Sequence, residues 1–214
     1  RPRVFTTAST VDQMPKHRSS AELFGDPLAI PVPDVDRTDL LVVFGGNPRM
    51  SNGSLWTVPD VPERLAALRR RGGRLVVVDP RRSRTAAKAD QHLAIRPGTD
   101  ALMLAAMAQA LFDEDRVALG ALADHVTGVD EVRDVVAPFT PEAVADACGL
   151  DATAIRDLAR AVAEADRAVV YGRIGTTTTA HGTLASWLVD VVNVLTGNLD
   201  RPGGAMFPLS LIHI

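Results

Sequence analysis

The chain has 214 residues, of which 46% are hydrophobic and 23% are charged, and its formal net charge at pH 7 is −3. These values are typical of a soluble globular protein and give no reason to expect nucleic acid as a partner. The longest apolar stretch, residues 184–195, contains Asp190 and Asn193 and is shorter than the ~20 residues that cross a bilayer, so we expect no membrane segment. A single cysteine, Cys148, excludes an internal disulfide and favours an inert core thiol.

Both ends of the sequence look cut. It begins at Arg1 without an initiator Met or a signal peptide, and residues 209–214 follow the rest without a turn, a cap or a periodic pattern. We expect residues 209–214 to be an artefactual tail, and His213 is given no role. A cytoplasmic location is expected, but the missing N-terminus leaves the compartment undetermined.

The first third of the chain alternates between strand and helix patterns. Residues 1–37 are rich in Thr, Ser and Pro and predict irregular structure, with one short helix near residues 19–23. Residues 39–44 are a continuous apolar run that ends in Gly-Gly-Asn-Pro, which predicts a buried strand followed by a tight turn. Residues 62–71 predict a helix with proline in its first turn, and residues 74–79 predict a second buried strand.

The same alternation continues to the end of the chain. A short strand over residues 91–95 leads into a helix that Thr99 should cap, and residues 117–165 are helical. Residues 167–171 predict a last strand, and residues 184–196 predict a last helix. Apolar strands with short connections predict the α/β class, with a doubly wound, mostly parallel, Rossmann-like sheet and an inserted helical region.

Ligands of such sheets bind outside the carboxyl ends of the strands. Four loops are predicted there, at residues 45–48, 79–81, 96–100 and 172–182. Their glycines allow a backbone to approach a phosphate closely. The chain has neither G-x-G-x-x-G after its first strand nor a Walker motif, so a plain structural turn explains residues 45–48 equally well.

Three charged residues in these loops suit a nucleotide. Asp79 ends the second strand, where a Rossmann-like sheet places the carboxylate that binds ribose hydroxyls; a turn Asp is the alternative. Arg81 can bind a phosphate bidentately. Asp100 can accept both the N1–H and the N2–H donors of guanine, whereas adenine presents a donor beside an acceptor. The alternative for Asp100 is an acidic residue favoured by the dipole at a helix start, and both explanations can hold together.

These loops, in this order, resemble the molybdopterin-guanine-dinucleotide oxidoreductases, a family that includes formate dehydrogenases and periplasmic nitrate reductases. The resemblance implies that the chain is the central part of a much longer catalytic subunit, an enzyme, and that this part alone is inactive. A 4Fe-4S cluster bound by cysteines would lie before Arg1, and a C-terminal barrel domain would lie after Ile214. The resemblance extends from about Thr6 to Pro208, and the matching segments are residues 38–48, 77–86, 95–102 and 195–198.

The resemblance also implies the cofactors and partners. The intact protein would hold molybdenum or tungsten between two molybdopterin guanine dinucleotides and would act on a small-molecule substrate in two-electron steps. Electrons would pass to the iron–sulfur cluster, and an electron-transfer subunit can be a further partner. The implied division is 1–37, a segment of the metal-side domain; 38–115, the Rossmann-like cofactor-binding part; 116–166, the helical region; 167–208, the returning strand, loop and helix; and 209–214, the tail.

The family pattern implies roles for particular residues. It places Gly45, Gly46, Asn47 and Pro48 at the pyrophosphate and pterin, Asp79 and Arg81 at the guanosine, Asp100 on the guanine edge, Arg96 and Gly98 at the cofactor, and Gly175, Thr177 and Thr178 near its metal side. Thr178 stands where Gln is common in the family, so this contact can differ. His181 would be a catalytic residue beside the metal centre, or simply a surface histidine.

The implied metal ligand is Asp12. Family members often bind the metal through Cys or selenocysteine, twelve residues before a hydrophobic-Gly pair. In this chain the pair is Phe24-Gly25, and the residue twelve positions before Phe24 is Asp12. A hard oxygen donor suits high-valent molybdenum or tungsten. Ser9 and Thr10 would compete if the register shifted by a few residues. Alternatively, Asp12 does not bind the metal and acts as a base beside it.

Two other functions stay open from the sequence. A cofactor-free scaffold or electron-wiring subunit, as in respiratory complex I, would explain the absence of a Cys ligand but not the intact Asp79, Arg81, Gly98 and Asp100. A generic nucleotide-binding Rossmann domain, for example one using NAD, would normally carry the missing glycine motif. It would also place its acidic residue about 20 residues after that motif, closer than Asp79 is to Gly46.

Overall fold

The structure, a computed structural model, describes residues 7, 9–56 and 58–208. Its centre is a parallel sheet of four strands, and a second, antiparallel sheet has two short strands. The strands are β1 (Val32–Pro33), β2 (Leu40–Phe44), β3 (Arg74–Val78), β4 (Gln91–Leu93), β5 (Ala168–Gly172) and β6 (Ala205–Met206). The large sheet has the order β4-β3-β2-β5, and β1 pairs with β6.

Helices cover both faces of the large sheet. They are α1 (Met14–Phe24), α2 (Pro48–Ser51), α3 (Val61–Arg70), α4 (Asp100–Asp113), α5 (Val129–Val136), α6 (Pro141–Cys148), α7 (Ala152–Glu164), α8 (Ile174–Thr177) and α9 (Gly182–Leu195). Shorter turns of other helix types are the π turn (Ser9–Gln13) and the 3-10 turns Ser54–Trp56, Ala86–Lys88 and Gly120–Leu122. None of the helices in the described ranges combines the length and the apolar character that crossing a membrane would need.

Strands β2, β3 and β5 are almost entirely buried because their side chains are largely apolar on both faces. Every residue of β2 is buried. Successive residues of a strand point to opposite faces. Accordingly Leu40 and Val42 join the larger core with α4, α7 and α9, whereas Leu41 and Val43 join the smaller core with α3. This arrangement confirms the predicted α/β class and its doubly wound parallel sheet.

The edge of the large sheet at β5 is closed by side chains. β5 is an edge strand, and an unpaired edge leaves backbone groups without partners. The side-chain amide of Asn193 in α9 donates to the Val170 carbonyl at 2.8 Å, and its oxygen accepts from the Val170 N–H at 2.9 Å. The Asn198 side chain accepts from the Ala168 N–H at 3.1 Å. The buried asparagines therefore fix α9 and the turn after it against β5.

The structure corrects the predicted beginnings of several helices. The short helix expected near residues 19–23 is the longer α1, which begins at Met14 and ends at Phe24, before Gly25 with its left-handed φ of 78°. α3 begins one residue earlier than predicted, because Asp60 caps it through the Glu63 N–H at 3.3 Å. Thr99 is the N-cap residue of α4 as predicted, but its side chain makes no capping hydrogen bond, since its hydroxyl donates to the Arg96 carbonyl.

Two further predictions concern single segments. Cys148 is buried at the end of α6, as expected for a core thiol, and burial raises its pKa. Residues 209–214, including His213, lie outside the described residues.

Candidate functional site

The predicted cofactor residues of the loops lie along one edge of the large sheet. Its strands are parallel, so the loops that follow β2, β3, β4 and β5 all leave from the same edge. Residues far apart in sequence therefore become neighbours there. The edge is called the carboxyl edge below.

Asp79 and Asp100 form an acidic pair on this edge. Asp100 is the first residue of α4, with only 5% of its surface exposed. Burial raises the pKa of Asp100 to about 6, its own backbone N–H opposes that rise, and the negative charge of Asp79 adds to it. The half-buried Asp79 accepts the Arg81 N–H at 2.8 Å, and its backbone carbonyl is bound by His92 at 2.8 Å. The structure therefore brings together the two carboxylates assigned to ribose and base.

Two predicted glycines allow two loops to touch. Gly45 has a left-handed φ of 55°, and a Cβ added there would lie 2.6 Å from the Gly175 Cα. The Gly175 N–H donates to the Gly45 carbonyl at 2.9 Å. Gly98 also has a left-handed φ, of 83°, but no atom lies within 4 Å of an added Cβ. Gly98 is thus favoured by its backbone conformation alone.

Asn47 and Pro48 fix the loop after β2. The Asn47 side-chain oxygen accepts both the N–H of Thr85 at 3.2 Å and its hydroxyl at 2.7 Å. Pro48 is buried and begins α2. Asn47 therefore ties the loop after β2 to the connection between β3 and β4, and its contact with a pyrophosphate stays a prediction.

The two predicted arginines differ in their surroundings. Arg81 is exposed beside Asp79. The Arg96 guanidinium donates to the carbonyls of Asp146 at 3.0 Å and Ala147 at 3.3 Å, near the end of α6. Arg96 therefore has partners within the protein, and its role at the cofactor stays a prediction.

The segments assigned to the metal side also come together. The π turn, which contains Asp12, contacts α8, which contains Thr177. Asp12 is half-buried, whereas Thr10, Thr178 and His181 are exposed. The hydroxyls of Thr177 and Thr178 donate to the Ile174 carbonyl at 3.3 and 2.7 Å. Over the ranges that the structure describes, no three His, Cys, Asp or Glu residues are grouped to hold a metal ion.

Sequence reasoning missed two charged features near this edge. Lys16 in α1 and Asp190 in α9 form a buried ion pair at 2.7 Å, with side-chain exposures of 8% and 2%. A lone Asp within the apolar run of α9 was the available signal, because a buried charge requires a partner. The second feature is Arg173, directly after β5, for which the sequence carries no comparable signal.

Comparisons with known proteins give the family of the chain. Residues 4–214 match the family model described as molybdopterin oxidoreductase. Formate dehydrogenase H of Escherichia coli (strain K12) is 33% identical over 176 residues, which are 82% of this chain and 24% of that protein. Nitrate reductase of Klebsiella oxytoca is 31% identical over 179 residues, which are 83% of this chain and 19% of that protein.

A solved structure shows the same fold. Acetylene hydratase from Pelobacter acetylenicus superposes with a TM-score of 0.78 at 22% sequence identity, covering 91% of this chain and 25% of that one. The chain thus spans a quarter or less of the length of each of these three proteins. Because the family model matches nearly the whole length of this chain, the chain belongs to the molybdopterin oxidoreductase family.

Proposed function

We propose that this chain is the part of a molybdenum or tungsten oxidoreductase catalytic subunit that binds the guanosine end of a pterin dinucleotide. Membership of the family supports a pterin cofactor with one of these metals. The observation that carries the guanosine assignment is the buried carboxylate of Asp100, with Asp79 beside it on the carboxyl edge. In a formate dehydrogenase-like enzyme, this part of the catalytic subunit would thus bind and orient the cofactor.

The state of Asp100 suits a ligand that donates two hydrogen bonds. No ion pair involves Asp100 among the described residues, although the carboxylate is almost fully buried. Guanine offers adjacent N1–H and N2–H donors, which would compensate for the water that the carboxylate has lost. Adenine offers one donor beside an acceptor. Asp100 should therefore select guanine, and binding should lower the pKa that burial has raised.

The remaining residues fit the rest of such a cofactor. Asp79 is available for ribose hydroxyls, and the exposed Arg81 can reach a phosphate. Asp12, in the turn against α8, would contribute one hard oxygen ligand to the metal. When bound, the metal and its pterins would supply the two-electron redox chemistry, and electrons would leave through a 4Fe-4S cluster. The substrate would be a small molecule held beside the metal.

Isothermal titration of the full chain with GDP and ADP tests the guanine assignment. With the chain purified free of nucleotide, at pH 7.5, we expect GDP to bind at least about tenfold more tightly than ADP, because two hydrogen bonds to a charged group distinguish them. Asp100→Asn should remove this preference. Asp113→Asn, at the exposed opposite end of the same helix, is the matched control and should keep it.

Two results would contradict the proposal. One is an equal or stronger affinity for ADP. The other is an unchanged preference for GDP in Asp100→Asn. Analysis of the native protein for molybdenum, tungsten and released guanine nucleotide provides an independent check, since a preparation matured with its cofactor should contain one of these metals and the nucleotide.

A further inference from the structure

Arg173 occupies a fixed position on the carboxyl edge. Its N–H donates to the Phe44 carbonyl at 3.0 Å, and its carbonyl accepts the Thr176 hydroxyl at 2.7 Å. Its side chain runs over Gly46, where an added Cβ would lie 3.3 Å from the Arg173 Cβ. Gly46 therefore leaves room for the arginine between the loops after β2 and β5.

The charge of Arg173 is not compensated within the described part of the chain. Its Nε is buried without a hydrogen-bond partner, and no described carboxylate forms an ion pair with it. Burial raises the pKa of Tyr171 to about 12, and the positive charge of Arg173 and a hydrogen bond with the Arg173 side chain oppose that rise. Arg173 is half-buried, its Nε is buried, and its charge has no counter-charge in that part of the chain, so this arrangement favours an anionic partner.

A second donor in the same cluster also lacks an acceptor. The Trp56 ring packs edge-on against Tyr171, with 5.8 Å between the ring centroids. The Trp56 indole Nε1 is buried and has no hydrogen-bond partner among the described residues. The Arg173 Nε and the Trp56 Nε1 are thus two buried donors without an acceptor within the described ranges, and both residues neighbour Tyr171.

We propose that Arg173 binds a phosphate group of the nucleotide, between the loops after β2 and β5. The guanidinium has a planar fork of donors that matches phosphate oxygens. That the phosphate belongs to a guanine nucleotide rests on the proposed function; that Arg173 binds a phosphate-type anion does not.

The strand order places Arg173 at a suitable distance from the base site. Asp100 follows β4, Asp79 follows β3, and Arg173 follows β5 beyond β2. Neighbouring strands are about 4.8 Å apart, so β4 and β5 are separated by about 14 Å. An extended nucleoside diphosphate spans a distance of this order. Base, ribose and phosphate would therefore lie in sequence along the carboxyl edge.

Calorimetric titrations with GDP, guanosine and inorganic pyrophosphate test the inference on the full chain freed of nucleotide. The unmodified chain should bind GDP at least about tenfold more tightly than it binds guanosine, because charged hydrogen bonds to phosphate are strong. Arg173→Gln should remove most of this difference and leave the guanosine affinity unchanged. Arg173→Lys should keep part of it, because it retains the charge but not the fork.

Arg74→Gln is the matched control, since it removes an exposed arginine at the opposite edge of the sheet and should change neither affinity. If Arg173→Gln fails to fold, Arg173→Lys decides: a GDP–guanosine difference equal to that of the unmodified chain overturns the inference. The same difference in a folded Arg173→Gln chain also overturns it. Pyrophosphate binding as tightly as GDP would assign the site to a free anion and overturn the nucleotide assignment. The two proposals can also fail separately. If the unmodified chain shows no preference for GDP over ADP, and Arg173→Gln lowers the affinity for both, the proposed function is refuted and the anion site is supported.

Discussion

The two ends of α4 carry acidic residues in opposite electrostatic states. Asp100 begins the helix, and burial raises its pKa to about 6. Glu114 follows the last residue of the helix, and its pKa is lowered to about 2, mainly by its hydrogen bonds to Arg160, with smaller contributions from Arg116 and Arg156. The Arg160 Nε donates to a Glu114 carboxylate oxygen at 2.7 Å.

The helix dipole predicts the reverse of this pattern. A carboxylate is stabilised at a helix start and disfavoured at a helix end, by about 0.3–1 kcal/mol. Raising the pKa of Asp100 from 3.8 to about 6 corresponds to about 3 kcal/mol, which outweighs the dipole. The local surroundings therefore decide both states. Glu114 belongs to a network of partners that stabilises the fold, whereas Asp100 stays uncompensated where a ligand would bind.

A third carboxylate sharpens this comparison, because Asp190 is buried like Asp100 but paired like Glu114. Burial raises the pKa of Asp190, and the charge of Lys16 at 2.7 Å opposes that rise. Lys16→Met would leave the carboxylate unpaired between α1 and α9, and we expect a loss of about 3 kcal/mol in the free energy of unfolding. Urea unfolding at pH 7 measures it.

The double variant Lys16→Met with Asp190→Leu is the control, because replacing both partners with apolar residues is often close to neutral. We expect it to recover most of the stability. A loss of less than about 1 kcal/mol in Lys16→Met alone would show that the charge of Lys16 offsets little of the cost of burying Asp190. Asp190 would then resemble Asp100, a buried carboxylate whose state is set by burial.

The second prediction concerns the uncompensated end of α4. The pKa of Asp100 in the folded chain lies above its ordinary value of 3.8. The contribution of Asp100 to the stability of the fold is therefore fully present below pH 3.8, where the side chain is protonated, and is lost as the pH rises through about 6. Asparagine does not titrate. Asp100→Asn should therefore stabilise the nucleotide-free chain by about 3 kcal/mol above pH 7 and leave it nearly unchanged near pH 3.5.

Urea unfolding of both proteins between pH 3.5 and 8 measures this difference. A difference that does not depend on pH would mean that the Asp100 carboxylate is not strained by burial. The expected combination of higher stability and lost guanine preference is the usual conflict between stability and function at a binding site.

The sequence allowed the large sheet and its carboxyl edge to be predicted, because buried parallel strands are continuous apolar runs that end in Gly or Pro turns. α1 was largely missed, since its buried face carries Lys16, Ser19 and Ser20 rather than apolar residues. The partner that makes Lys16 a core residue is Asp190, 174 residues away. No local pattern can reveal such a pair.

The placement of the candidate site residues was predictable to the same extent. Asp79 and Asp100 could be assigned to the carboxyl edge because their positions follow from strand ends, and their proximity follows from parallel strands; their roles at a cofactor stay predictions. Arg173 could not, because its significance lies in missing partners, and partners are known only when neighbouring loops have been placed. Asn47 was assigned from the sequence, but the contact of its side chain with Thr85 in the next loop became visible only once both loops were placed.

The third and smallest predicted effect concerns the network at the other end of α4. The pKa of Glu114 lies below 4.5, so its contribution is present above that pH and is lost as the pH falls through about 2. Solvent reaches this network, so we expect Glu114→Gln to cost only about 1 kcal/mol at pH 7 in low salt. In 1 M salt the cost should fall by about half, since the Debye length there is about 3 Å. Asp115→Asn, at an exposed neighbouring residue, is the control. The stability difference between Asp100→Asn and the unmodified chain should hardly change with salt, because burial causes it. An equal change with salt in the Asp100 and Glu114 variants would mean that solvent-exposed charges set the ionisation of the acidic residues at both ends of α4.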